Sequence, residues 1–361
     1  MAYDDSLAGR GAVDCDIHAV LPGLKSLLPY FEPQWRDTIM QRGIPEIDTN
    51  AYPNNSPLTI RPEWRASNAP FHAVPLEQLA SQALDGTDVE FAICNCLYGF
   101  QMLNSEDMGR AFARSINDWM KAEWLDRDPR LRASIAVPMQ NPAMSVEEID
   151  RCAPDRRFVQ VLMLAMGDMP LGKRYYWPIY EAAERHGLPV AVHAGSMYRH
   201  PITGIGWPTY HVQDYASQST AMQTQLTSLI CEGVFQKFPD LKIVMSESGF
   251  TWLPPYLWRL DKYWHGLRME VPWLTVSPIE VVRSNVRFTL QPVDAPPDPA
   301  QLERLFDHLD CDDLILYSTD YPHWQFDRDP IPEGFPASLI SKIKIDNPHA
   351  TYRRLSEGGR Q

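Results

Sequence analysis

Gly187-Leu188-Pro189-Val190-Ala191-Val192-His193-Ala194-Gly195 is the stretch from which the rest of the chain is read. A short apolar run with β-branched residues, set between a helix-like segment and a loop, reads as a buried parallel strand. The run ends in a histidine and then in small residues, so the imidazole projects at the C-terminal end of the strand. In an α/β barrel that end is where functional sites are built.

The same pattern recurs along the chain. Strand candidates begin near 13, 89, 131, 158, 188, 242, 286 and 314, mostly alternating with helical segments. Eight strands in strand–helix alternation predict a (β/α)8 TIM barrel within one domain spanning 1–361. Helices are expected over Leu76–Leu84, Asn104–Leu125, Ser145–Cys152, Trp177–His186, Ala221–Phe235, Trp252–Tyr263 and Ala300–Leu309. Met108, Phe112, Ile116 and Met120 recur every four residues in the second of these. Ser145 and Glu148 have the capping-box spacing for the third. The last strand is read as Leu314–Asp320, and the segment from Pro336 as a cap on the barrel. After strand 1 comes a polar stretch, 21–75, broken by Pro53, Pro57, Pro62, Pro70 and Pro75. It reads as an N-terminal insertion, a lid or pocket wall, with Arg61 and His72 as further polar candidates.

Composition narrows the partners. The 361 residues carry a formal net charge of −13, which disfavours nucleic acid and anionic membrane surfaces. No apolar run approaches the roughly 20 residues that span a bilayer. Met1–Ala12 lacks an apolar signal core, so a cytoplasmic location is the default expectation. The six cysteines form no CxxC pair, and buried free thiols are expected rather than a zinc knuckle or a disulfide framework.

The polar residues that carry chemistry fall at strand ends. Asp16 and His18 close the first strand, and their i, i+2 spacing puts them on one face. His193 closes the fifth strand, Glu247 the sixth and Asp320 the eighth. Each has a bland alternative as a satisfied core group or a turn residue, but they share a position in a repeating pattern. Two imidazoles with two or three carboxylates suit one divalent ion, Zn²⁺ or Mn²⁺. Such an ion activates water or polarises a substrate oxygen, and Asp320 or Glu247 is placed to move a proton beside it.

Four segments carry a resemblance: Asp14-Cys15-Asp16-Ile17-His18, Leu188–His193, Phe238–Val244 and Tyr317-Ser318-Thr319-Asp320-Tyr321-Pro322-His323. Together they resemble the amidohydrolase-related family typified by aminocarboxymuconate-semialdehyde decarboxylase. The resemblance implies a (β/α)8 barrel with one metal ion held by Asp16, His18, His193 and Asp320. Many relatives have His-x-His in the first motif where this chain has Asp16, a feature of the aromatic-acid decarboxylase branch. After strand six the family usually places a catalytic His where this chain has Glu247.

Two reactions follow. The first is hydrolysis of an amide, ester or lactone in a small aromatic or cyclic substrate, with Asp320 or Glu247 taking a proton from water. The second is non-oxidative decarboxylation of an aromatic acid, with Glu247 as proton donor. A metal-stabilised binding protein without turnover is a third, lesser reading. His323 is a further catalytic candidate. Tyr198, Arg199, His200, Trp207, Trp252 and Trp324 are candidates for contact with the substrate. Dimers are frequent in the family, which makes a homodimer an expectation.

Overall fold

The computed structural model describes residues 10–47, 60, 64, 74–195, 200–323 and 330–357. Eight parallel strands run in sequence order: β1 (Ala12–His18), β2 (Val89–Asn95), β3 (Leu131–Ala136), β4 (Phe158–Leu164), β5 (Val190–His193), β6 (Ile243–Ser246), β7 (Val286–Thr289) and β8 (Ile315–Leu316). The sheet closes on itself. Cys15 N–H donates to the Tyr317 carbonyl at 2.9 Å, His18 N–H to Tyr321 at 2.7 Å, and Asp320 N–H to Asp16 at 3.0 Å. With helices around the outside, this is a (β/α)8 TIM barrel.

A buried carboxylate fastens the seam. Asp14 accepts Thr319 N–H at 3.0 Å and Thr319 O–H at 2.5 Å, and its Oδ1 also accepts Asp16 N–H at 3.2 Å. Burial pushes the Asp14 carboxyl up to about 7 against those bonds.

The outer ring and its approaches contain α1 (Pro33–Arg42), α2 (Leu76–Leu79, extended through Leu84), α3 (Glu106–Met120), α4 (Pro142–Cys152), α5 (Trp177–Arg185), α6 (His211–Cys231), α7 (Leu253–Leu267), α8 (Pro278–Asn285) and α9 (Pro299–Leu309). Phe112, Ile116 and Met120 of α3 are buried against the sheet, as their spacing predicts. Asn117 on the same helix donates to the Ala136 carbonyl at 2.9 Å and to Glu148 Oε1 at 2.7 Å, tying α3 to the end of β3 and to α4. α5 ends at Arg185 with His186 as its C-cap, and Gly187 follows, its φ of 63° permitting the left-handed turn into β5.

Several boundaries differ from expectation. α4 begins at Pro142, and its cap is Asn141, whose side chain accepts Met144 N–H. Ser145 lies inside the helix and donates to the Pro138 and Asn141 carbonyls, while Glu148 is spent on Asn117 and Arg151. α6 starts at His211, ahead of Ala221, because a Tyr210–Gln213 capping box supplies its first turn. The 21–75 stretch contains a helix, α1, whose single buried residue is Ile39, so it lacks an apolar stripe to reveal it. β8 ends at Leu316, which leaves Asp320 on the loop beyond it. Most of 48–73, with Arg61 and His72, lies outside the described residues.

Two apolar regions result. The larger lies between the sheet and the helices. The second gathers Val13, Cys15, Ile93, Val159, Leu162, Ala191, Val244 and Leu316, and Tyr352 and Leu355 join it. These strand residues come from β1, β2, β4, β5, β6 and β8, on opposite sides of the closed sheet, so this cluster fills the barrel. The segment after Pro336 plugs it, through α10 (Ala337–Ser341), α11 (Asn347–Thr351) and α12 (Arg353–Glu357). Tyr352, between the last two, is fully buried. Among the described residues no helix is long and apolar enough to cross a membrane. The described cysteines are all free; Cys15, Cys94, Cys96 and Cys152 are buried as expected, whereas Cys231 and Cys311 are half-buried.

Candidate metal centre

The strand ends converge. β1 delivers Asp16 and His18, and β5 delivers His193, all within 3% of fully buried. Glu247 follows directly on β6, and Asp320 and His323 lie on the loop after β8. Glu247 (φ 54°) and Asp320 (φ 59°) both occupy left-handed backbone. Side chains other than glycine hold this conformation at a cost of order 1–3 kcal/mol each, and such outliers concentrate at functional sites. The Glu247 turn is held by its own N–H on Thr289 Oγ1 at 3.1 Å, and the Asp320 turn by its N–H on the Asp16 carbonyl.

The donor atoms crowd around one another. His18 Nε2 lies 3.0 Å from Glu247 Oε1, 3.0 Å from Asp320 Oδ1 and 3.6 Å from Asp16 Oδ1. His193 Nε2 lies 3.6 Å from Asp16 Oδ2 and 3.5 Å from Glu247 Oε1. His323 Nδ1 lies 2.6 Å from Asp320 Oδ1 and 3.2 Å from Glu247 Oε1. The His323 ring stacks on His18 at 4.1 Å between centroids. Asp16, His18, His193 and Glu247 form one candidate ligand group, and His18, Glu247, Asp320 and His323 an overlapping one.

Two atoms lack what a dry, metal-free site would give them. Asp16 Oδ2 and His193 Nε2 are buried without a hydrogen-bond partner among the described residues. His193 Nδ1–H donates to the Ala194 carbonyl at 2.5 Å, which turns Nε2 toward the cluster. Buried polar atoms are seldom left unpaired. Both orphans face a centre of carboxylate and imidazole donors, the chemistry that suits Zn²⁺ or Mn²⁺. Spacings near 3 Å also match neighbouring ligands around an ion with bonds of about 2.1 Å. The residues fit a divalent ion.

Without that ion the imidazoles carry the compensating charge. Burial opposes protonation of His193, but Glu247 and Asp16 push it up to about 9. His18 and His323 are raised too, through Asp320 and Glu247, against the same burial. Glu247 is held well below the ordinary range: His193 and His323 outweigh its desolvation. Asp320 moves the other way, pushed up to about 6 by burial and by the Glu247 charge.

All six catalytic and ligand candidates are therefore brought together. The expected substrate contacts fare differently. His200 is exposed and pairs with Asp168 at 2.9 Å. Trp207 is 52% exposed. Trp252 donates to the Ser248 and Gly249 carbonyls at 3.0 and 3.1 Å, so it braces the loop that carries Glu247. Tyr198, Arg199 and Trp324 lie outside the described residues.

One participant does not titrate. Asn95 ends β2 and donates Nδ2–H to Asp16 Oδ1 at 2.6 Å. Its place at a strand end was the available signal, masked by the flanking Cys94 and Cys96.

Comparison with known proteins agrees with the geometry. Gamma-resorcylate decarboxylase of Rhizobium radiobacter is 29% identical over 273 residues, covering 67% of this chain and 75% of that protein. The enzyme of the same name from a Polaromonas species is 29% identical over 166 residues, 41% of this chain. The chain spans about half the length of the first such relatives, 48% in that case. A dihydroxybenzoic acid decarboxylase from Polaromonas, solved with manganese and the inhibitor 2-nitroresorcinol, shares the fold. Its TM-score is 0.64 at 17% identity, with 95% of this chain and 97% of that one covered. The amidohydrolase family profile matches residues 13–354, nearly the whole barrel, and the chain belongs to that family.

Proposed function

We infer that this protein is a metal-dependent, non-oxidative decarboxylase of a hydroxylated aromatic acid. The observation that carries the reading is the ring of donors formed by Asp16, His18, His193, Glu247 and Asp320, with its two orphaned atoms. Decarboxylation is favoured over hydrolysis because the named relatives above are decarboxylases of such acids. Manganese in one of the related structures makes Mn²⁺ the first ion to test.

Asp16, His18, His193 and Asp320 would hold the ion, with Glu247 completing the set. When bound, it supplies positive charge for the substrate carboxylate and a neighbouring ring oxygen. The protein's own groups supply the rest. Asp320, whose carboxyl is pushed up to about 6 by burial and the Glu247 charge in the metal-free site, is the group that would deliver a proton to the ring carbon bearing the carboxylate. The bond from that carbon to the carboxylate then breaks, its electron pair restores the aromatic ring, and carbon dioxide leaves. In this reading Glu247, held below the ordinary carboxylate range by His193 and His323 against its burial, serves as a charge-holding group, and the proton-donor role falls to Asp320. Glu247 keeps His323 charged, and His323 offers that charge to the incoming acid.

The test is turnover of hydroxybenzoates by the Mn²⁺-loaded protein in D₂O. The reading expects carbon dioxide and a product with one deuterium at the vacated ring position. Asp320→Asn should lower kcat by about 10²–10⁴-fold. Cleavage of esters or lactones without carbon dioxide release would instead establish hydrolysis.

A further inference from the structure

Asp16 is the end of a buried polar chain that crosses the barrel. Asn95 Nδ2–H donates to Asp16 Oδ1 at 2.6 Å. Ser134 O–H donates to Asn95 Oδ1 at 2.5 Å, and Gln160 Nε2–H to Ser134 Oγ at 2.9 Å. Tyr352 O–H donates to Gln160 Oε1 at 3.0 Å. Each of these five side chains is at most 5% exposed. They come from β1, β2, β3, β4 and the plug beyond Pro336.

Chemistry sets the direction of every bond. An ionised carboxylate only accepts, so Asn95 must present its NH₂ to Asp16. Its carbonyl oxygen is then the acceptor for Ser134, whose single proton is spent there. Ser134 Oγ in turn accepts from Gln160, and the remaining Gln160 oxygen accepts from tyrosine. All four donors therefore point toward Asp16, an arrangement in which each bond polarises the next. Asp16 Oδ1 is occupied, and Oδ2 is the oxygen left without a partner.

We propose that Asn95, Ser134, Gln160 and Tyr352 act as positioning residues for the metal site. They fix the Asp16 carboxylate so that Oδ2 alone is presented to the ion, and they make metal affinity depend on the barrel's plug. This rests on the reading of Asp16 as a metal ligand. A plain packing role predicts a different outcome, because a hydroxyl far from the site would then influence stability and not the ion.

The experiment is a Mn²⁺ titration of the metal-stripped full chain, following free Mn²⁺ by EPR, with thermal unfolding of each metal-free variant alongside. The variants are Tyr352→Phe, Gln160→Met, Ser134→Ala and Ser134→Thr, none of which alters a proposed ligand. Removing partners that orient a ligand typically weakens metal binding by about 10–100-fold. Losses of roughly that order are expected for Gln160→Met and Ser134→Ala. A smaller but measurable loss is expected for Tyr352→Phe, and Ser134→Thr should retain wild-type affinity by keeping the hydroxyl. Wild-type affinity in Tyr352→Phe, Gln160→Met and Ser134→Ala, whatever happens to their melting temperatures, would overturn the relay and leave the metal site standing. Failure of the wild type itself to take up Mn²⁺ would overturn both. Tyr352→Phe removes one oxygen atom and decides the matter should Gln160→Met fail to fold.

Discussion

Glu247 Oε1 lies 3.2 Å from His323 Nδ1, and against the burial of both groups each favours the charged form of the other, lowering the carboxyl pKa and raising that of the imidazole. The pair makes Glu247 a charge-holding residue. Glu247→Gln keeps the size and removes the charge. Mn²⁺ affinity is expected to fall about 10–100-fold, the cost of losing a group that ligates or orients at a metal site. Equilibrium dialysis measures it, and an unchanged dissociation constant would remove Glu247 from the site.

Metal uptake should release protons. His193 titrates near 9 without the ion, and an imidazole ligand must be neutral. Calorimetric titration with Mn²⁺ at pH 7, in buffers of different ionisation enthalpy, should therefore show buffer-dependent heats that correspond to net proton release. Buffer-independent heats would contradict the charge state assigned to the metal-free site.

The same group predicts a pH trend. Its pKa is raised from 6.5 to about 9 on folding, so the metal-free fold gains stability from it below pH 6.5. That gain is lost as pH rises through about 9. The ion has no proton to displace at high pH. The increase in melting temperature on adding Mn²⁺ should therefore grow between these limits, and a constant increment would refute the trend.

At the barrel seam, Asp14→Asn tests a second titration. The Asp14 carboxyl rises from 3.8 to about 7 on folding, so its protonated form favours the fold, and its contribution declines as pH climbs through that window. Asparagine can accept from the Thr319 and Asp16 N–H groups with its oxygen and donate to Thr319 Oγ1. The stability of wild type relative to Asp14→Asn, from urea unfolding, should fall as pH rises. A difference that stays flat with pH would show that Asp14 does not titrate in this range.

Gly172 offers a test remote from the metal. An added Cβ would run into the Ser228 carbonyl of α6, and the Gly172 N–H already donates to Ser228 Oγ at 3.1 Å. Gly172→Ala should cost about 1–3 kcal/mol in urea unfolding, the usual range for forced overpacking. Wild-type stability would mean that the loop moves off α6 freely.

Much of this arrangement is legible before any coordinates. All eight strands and most ring helices follow from apolar runs and fourfold spacing, because burial against a sheet imposes those patterns. Asp16, His18 and His193 are found by position at strand ends. Glu247 and Asp320 are found in the same way, as the ends of the sixth and eighth strands, but the left-handed turns that carry them depend on bonds to Thr289 and Asp16, partners distant in sequence. α1 is hidden because it buries little. Asn95, Ser134 and Gln160 are hidden for another reason: neutral polar residues in a strand look like weak core positions until their partners from other strands are in view. Tyr352 is further still, joined to Gln160 across 192 residues.

The seam between β8 and β1 also has a consequence in time. His18 and Asp320 are separated by 302 positions, and Asp14 and Thr319 by 305. During synthesis β1 emerges early and waits with an unpaired edge while the intervening units are made. An edge left exposed in this way is open to pairing with other chains until β8 covers it. The ligand set cannot close until β8 docks, so a half-made chain has no finished cage in which to trap an ion.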